Sequence, residues 1–151
     1  MKNKVLFICT HNSARSQLAE GLLRTLYGDQ YGVFSAGTHP WKVHPLTIKA
    51  MQEIGIDVSK HTSKSLEKFL NQEIDFIITV CDQAKESCPV FPGGKHHFHK
   101  SFRDPGLSGD TENEMLQHFR EVRDEIKHWI EKTFENPESI QDKIKKGESN
   151  A

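Results

Sequence analysis

The most restrictive feature of the chain is an apolar run, Val5-Leu6-Phe7-Ile8, that stops at Cys9 and gives way to small polar residues before Arg15 and Ser16. A short run of that kind, bounded by turn-forming residues, reads as a strand buried on both faces. Beyond Arg15, the residues Leu18, Ala19, Leu22, Leu23 and Leu26 recur at helical spacing until Gly28. The polar segment therefore joins the C-terminal end of a strand to the N-terminus of a helix. In α/β sheets that junction is where ligands bind.

Cys9 and Arg15 bracket Thr10, His11, Asn12, Ser13 and Ala14. A loop of this length between strand and helix can curl so that successive N–H groups face one tetrahedral oxyanion, with the helix dipole adding to the field. A thiol in such a field is expected to lose its proton easily. Arg15 can fork onto two oxygens of the anion. Ser13 and Ser16 offer hydroxyls to the sulfur, and Asn12 tolerates the left-handed bend and can brace the loop. The chemistry expected is nucleophilic attack by Cys9 on an anion held by residues 10–16.

At 151 residues the chain suits one domain with a single substantial core. The expected division is a domain over residues 1–135 and a polar tail over 136–151 rich in Glu, Lys, Ser and Gln. Lys and Arg number 20 against 21 Asp and Glu, with the positive residues dispersed ahead of the tail, so nothing argues for nucleic acid. No export signal or membrane-length apolar segment is visible, which gives a cytoplasmic expectation. Three cysteines, two of them seven positions apart, fit working thiols in a reducing compartment better than a disulfide scaffold.

Further along, Gly32 to Gly37 reads as a second strand closed by Ser35-Ala36-Gly37, and residues 45–54 as a helix carrying Leu46, Ile48, Met51 and Ile54. Thr62-Ser63 is expected to cap a short helix with Leu66, Phe69 and Leu70. The run Ile74-Asp-Phe-Ile-Ile-Thr-Val is a third buried strand that delivers Cys81 to the same sheet edge as Cys9. A polar segment then leads to Cys88, and Pro89, Pro92, Gly93 and Gly94 keep it from forming a long regular element. On residues alone, Cys81 and Cys88 are either incidental or a working pair. His96, His97 and His99 follow, but the cysteine spacing does not match a zinc finger, and no metal is expected. Residues 95–102 read as a fourth strand, Asp104-Pro105-Gly106 as a turn, and Thr111 with Glu114 as a capping box opening a long amphipathic helix to Phe134. Taken by itself, Asp104 is either a turn residue or a general acid.

The stretch Cys-Thr-His-Asn-Ser-Ala-Arg-Ser-Gln-Leu-Ala-Glu-Gly resembles the phosphate-binding loop of the low-molecular-weight protein tyrosine phosphatase fold, and more narrowly the thioredoxin-coupled arsenate reductases on that fold. The resemblance continues in Ser-Ala-Gly-Thr from Ser35, Gly-Ile-Asp-Val-Ser from Gly55, Thr-Val-Cys from Thr79, Cys88-Pro89, Asp104-Pro105 and Arg123-Asp-Glu-Ile. It implies a three-layer α/β/α fold with a four-stranded parallel sheet in the order 2-1-3-4. It also implies arsenate as substrate, Cys9 as nucleophile, Arg15 as anion ligand, Asp104 as acid, Cys81 then Cys88 as resolving thiols, and electrons from thioredoxin without a tightly bound cofactor. The alternative is a phosphatase that hydrolyses phosphate monoesters. Against it stand Gln17, where such phosphatases usually carry proline, and Gly106-Leu107, where they carry aromatic residues after Asp-Pro. Some of these reductases bind potassium through residues matching Asn12, Glu20 and Ser35 plus an acid in the segment after Thr62-Ser63. Lys64 stands in that segment, so its ammonium is expected to pair with Glu20, brace Asn12 and make potassium unnecessary. A monomer is expected.

Overall fold

The computed structural model describes residues 2–87, 93–107 and 109–140. Strands β1 Asn3–Cys9, β2 Tyr31–Gly37, β3 Ile74–Thr79 and β4 Gly94–His99 form one parallel sheet in the order β2-β1-β3-β4, as the resemblance implies. Helices α1 Arg15–Tyr27, α2 Pro45–Gln52, α3 Asp82–Ser87 and α4 Glu112–Phe134 alternate with the strands or close the chain.

Val5, Leu6, Phe7 and Ile8 are all fully buried, the signature of a central parallel strand covered on both faces. On one face Phe7 meets Trp129 and Phe134 of α4 edge to face, both at 6.2 Å, and Tyr31 meets Phe134 at 5.4 Å. Side chains alternate along a strand, so Phe34, paired with Leu6, faces the other way and packs on Phe69 at 5.8 Å. Each such buried side chain contributes about 1.5–3 kcal/mol of transfer free energy, so the central strand is the best-anchored element of the sheet.

Several boundaries differ from the sequence reading. Leu66–Phe69 is a short 3-10 helix capped by Ser65, whose hydroxyl accepts the Glu67 N–H at 3.3 Å, rather than by Thr62-Ser63. A side-chain cap must lie within a turn of the orphan N–H groups it serves, and Ser65 is nearer. The fourth strand ends at His99, although Phe102 N–H still reaches the Val80 carbonyl at 3.1 Å. Thr111 caps α4 as expected, accepting from Glu114 N–H at 3.1 Å, but the Glu114 carboxylate returns to Asp110 N–H at 2.9 Å instead of Thr111. Asp82–Ser87 forms a short helix where only an irregular polar segment is apparent in the sequence. Cys88 lies outside the described residues, as does most of the expected tail. Among the described residues no helix is long and apolar enough to cross a membrane, and no group of three or more candidate ligands is placed to hold a metal ion.

Candidate active site

The strand-to-helix loop sits at the C-terminal edge of β1, and its carbonyls all turn outward. Cys9 O accepts from Thr38 N–H, Thr10 O from His39 N–H, His11 O from Trp41 N–H and from the Ser63 hydroxyl at 2.7 Å. Asn12 O takes the Gln17 amide at 3.2 Å, Ser13 O takes His44 N–H at 3.0 Å and the Thr47 hydroxyl at 2.9 Å, and Ala14 O takes Leu18 N–H. No peptide here is cis. In a planar trans peptide the N–H opposes the C=O, so the amides from His11 to Arg15 face the inside of the bowl. A row of converging amides of this kind has the geometry of an anion nest.

Asn12 makes the bend, with φ 49 and a fully buried side chain. Its amide donates to Ser16 Oγ at 2.7 Å and Ser35 Oγ at 2.9 Å, and its Oδ1 accepts from Gln17 Nε2 at 3.0 Å and Lys64 N–H at 2.8 Å. Gly37 lies against this bend, where a Cβ would stand 2.7 Å from Thr10 O and 2.9 Å from Asn12 N. The small residue of Ser35-Ala36-Gly37 is thus required by close backbone approach.

Cys9 is 3% exposed, and its Sγ lies 2.8 Å from Ser16 Oγ. Because Ser16 already accepts from Asn12, its own proton is left for the sulfur. Ser13, the other hydroxyl expected at the sulfur, lines the cleft instead. The expectation of an easily ionised thiol is not met. Burial pushes the Cys9 thiol above its ordinary value, and neighbouring Cys81 adds to this, while the Ser16 hydroxyl, the Ser16 N–H and Arg15 pull it down without overcoming the loss of solvation. The rate of Cys9 alkylation by iodoacetamide is therefore expected to keep climbing beyond about pH 8.5, the ordinary thiol pKa. A plateau near neutral pH would show that the loop field outweighs burial.

Arg15 is held at the rim, donating to Phe102 O at 3.1 Å and facing Asp104 at 3.6 Å. The Asp104 side chain is 34% exposed and also accepts Gly106 N–H at 2.9 Å, so it closes the turn while facing the same cleft as Cys9 and Arg15. Cys81 is 2% exposed, and its Sγ lies 3.4 Å from the Thr10 hydroxyl, which brings it to the Cys9 edge as expected from two adjacent parallel strands.

Beneath the loop, Glu20 is buried and surrounded by donors. Arg24 stands at 2.7 Å, Lys64 Nζ at 3.5 Å and the Ser35 hydroxyl within hydrogen-bond contact. Burial opposes the charge, but Lys64, Ser35, Arg24 and His61 together hold the carboxyl below its ordinary value. The expected Lys64–Glu20 pair is present. Asn12 is braced by the Lys64 backbone N–H rather than by its ammonium, which donates to Thr62 O at 2.8 Å.

The bowl opens into a cleft of about 250 Å³ lined by Cys9, Arg15 and Asp104 and walled by Trp41, His44 and Leu107 among others. Trp41 and His44 belong to the loop between β2 and α2, which carries no ligand signature in the sequence beyond its prolines. No aromatic residue follows Asp104-Pro105, as expected, yet Trp41, 63% exposed, supplies an aromatic wall from that other loop.

The family described as low molecular weight phosphotyrosine protein phosphatase matches this chain over residues 4–146. The chain belongs to that family. The protein named arsenate reductase of Halalkalibacterium halodurans is 44% identical over 133 residues, covering 88% of this chain and 95% of the relative. A solved arsenate reductase in a phosphate-binding state superposes with TM-score 0.70 at 34% identity, covering 87% of this chain and 95% of that one. A thioredoxin-dependent arsenate reductase of Corynebacterium glutamicum superposes with TM-score 0.63 at 31% identity, covering 87% of this chain and 61% of that one. Family membership thus reaches beyond the nest itself, across the sheet and into the closing helix.

Proposed function

We propose that the protein reduces arsenate to arsenite through a three-thiol relay recharged by thioredoxin. The observation that carries this reading is a second buried thiol, Cys81, at the same sheet edge as Cys9 and hydrogen-bonded to the first residue of the oxyanion loop. A phosphatase on this nest needs only water to attack its phosphocysteine, so a neighbouring thiol has no task in it. The arsenate reductase names of similar chains point the same way.

In this reading the inward amides and Arg15 hold three oxygens of arsenate. The Cys9 proton, held on sulfur by burial, passes to the arriving dianion, and the resulting thiolate attacks arsenic. Asp104 supplies a proton to the departing oxygen, which leaves as water. Cys81 thiolate then attacks Cys9 Sγ. The sulfur–arsenic bond breaks with its electron pair left on arsenic, so arsenic(V) becomes arsenic(III) and a Cys9–Cys81 disulfide forms. Cys88 attacks Cys81 and displaces Cys9 as thiolate, and a thioredoxin dithiol reduces the Cys81–Cys88 disulfide. No metal or organic cofactor has a step in this scheme, and a single chain carries all three thiols.

The test is arsenite release with thioredoxin, thioredoxin reductase and NADPH, run in sodium and in potassium buffers. Steady turnover is expected at rates within about twofold in the two buffers, since the Lys64 ammonium already pairs with Glu20. Hydrolysis of an aryl phosphate with no arsenite release would overturn the reductase reading, and strong potassium activation would overturn the role given to Lys64.

A further inference from the structure

His44 stands just before Pro45 in an extended conformation, φ −63 and ψ 135, as the residue ahead of proline prefers. Its backbone N–H is bonded to Ser13 O at 3.0 Å, so the residue is fixed to the oxyanion loop itself. Its ring performs the N-cap of α2, with Nδ1 accepting Leu46 N–H at 3.0 Å. A ring nitrogen that accepts carries no proton, so the neutral imidazole bears its hydrogen on Nε2. The ring packs against Phe119 at a tilt of 41° with centroids 4.7 Å apart, which restrains its plane. It also forms part of the cleft wall together with Cys9, Arg15 and Asp104. Burial, helped by Lys42 and opposed by Asp104, keeps the imidazole below its ordinary pKa, so the neutral ring prevails at neutral pH.

We propose that His44 Nε2–H is a further oxyanion-binding donor, added to the loop amides and Arg15, and that the ring's capping of α2 is what orients it toward the anion. The proposal rests on the reading of the cleft as an oxyanion site. A donor there is neutral and held in one tautomer, so it adds a hydrogen bond without adding charge. It contributes equally before and during attack by Cys9, and its loss therefore appears in affinity and not in the chemical step.

Cap and donor separate by substitution. His44→Asn and His44→Ser keep a good N-cap acceptor but remove Nε2–H, while His44→Ala removes both. Protection of Cys9 from iodoacetamide by titrated inorganic phosphate measures anion binding with no need for redox turnover. The expected result is a melting temperature close to wild type for His44→Asn, with half-protection needing about 5–10-fold more phosphate. The arsenate KM is expected to rise by the same factor, with kcat within about twofold. Wild-type phosphate protection in both cap-retaining variants would overturn the proposal and leave His44 as a cap alone. Phosphate failing to protect wild-type Cys9 at all would overturn the oxyanion reading of the cleft, and this proposal with it. If His44→Asn folds poorly, His44→Ser carries the same comparison.

Discussion

Cys88→Ser is expected to release one arsenite per chain and then stop, with steady turnover down about 10⁴-fold, the size of loss seen when a member of a catalytic unit is removed. Its remaining thiols, Cys9 and Cys81, would be consumed together as a disulfide, so a thiol count taken after that single turnover should fall to zero. Cys81→Ser is expected to release no more than one equivalent, because the thiol beside Thr10, proposed to attack Cys9, is gone. Thioredoxin restores neither variant, since the Cys81–Cys88 disulfide it would reduce never forms. Rapid-quench measurement of arsenite with parallel thiol titration decides the matter. Continued turnover by Cys81→Ser would remove the relay and leave the second buried cysteine without a catalytic task.

Asn12→Ala is expected to lower stability by about 3–5 kcal/mol, although no atom of Asn12 touches solvent or belongs to the hydrophobic core. Four hydrogen bonds end on that side chain, from both its amide hydrogens and both lone-pair directions of its oxygen. Its removal strands the part-buried Lys64 N–H, at about 1–3 kcal/mol, and takes the donor from the buried Ser16 and Ser35 hydroxyls, while Gln17 Nε2 keeps the Asn12 and Thr62 carbonyls. It also places a β-carbon without a compensating polar group in the left-handed region, at about 1–2 kcal/mol. For a domain of this size the melting temperature should fall by about 10 °C. Asn12→Gly supplies the internal control, because it relieves the backbone at φ 49 but still loses every side-chain bond, and it should recover only the smaller part of the deficit. Calorimetry on the three proteins measures both parts. An Asn12→Ala variant within about 1 kcal/mol of wild type would show that the loop is held by its outward carbonyls alone. Phosphate protection of Cys9 should weaken in parallel with stability, since the amides converge only while the bend holds.

The nest was legible in the sequence because every part of it is local. A strand-length apolar run, a six-residue step from Cys9 to Arg15 and a helical period after it all fall within one window, and each is set by backbone geometry that a short segment already expresses. Cys81 was legible for the same reason, as the end of a second buried strand that a parallel sheet must bring to the same edge. The Lys64–Glu20 pair required the resemblance, because the two residues are far apart in the chain and neither belongs to a local pattern. The walls of the cleft were not legible. Trp41 and His44 lie in a loop with no periodicity, and tertiary bonds, among them those from Trp41 N–H and His44 N–H to the carbonyls of His11 and Ser13, bring them to the bowl.

The sequence by itself determined the strand–loop–helix order, the parallel sheet and the placing of Cys9 and Arg15 at the two ends of the loop. Those follow from hydrophobic period and from short-range steric and hydrogen-bonding preferences. Only the tertiary structure decided the burial that raises the Cys9 thiol, the outward turn of the loop carbonyls and the aromatic and imidazole walls around the bowl. The reason is that desolvation depends on everything packed around a group, and loop carbonyls can face outward only where distant segments supply donors to receive them.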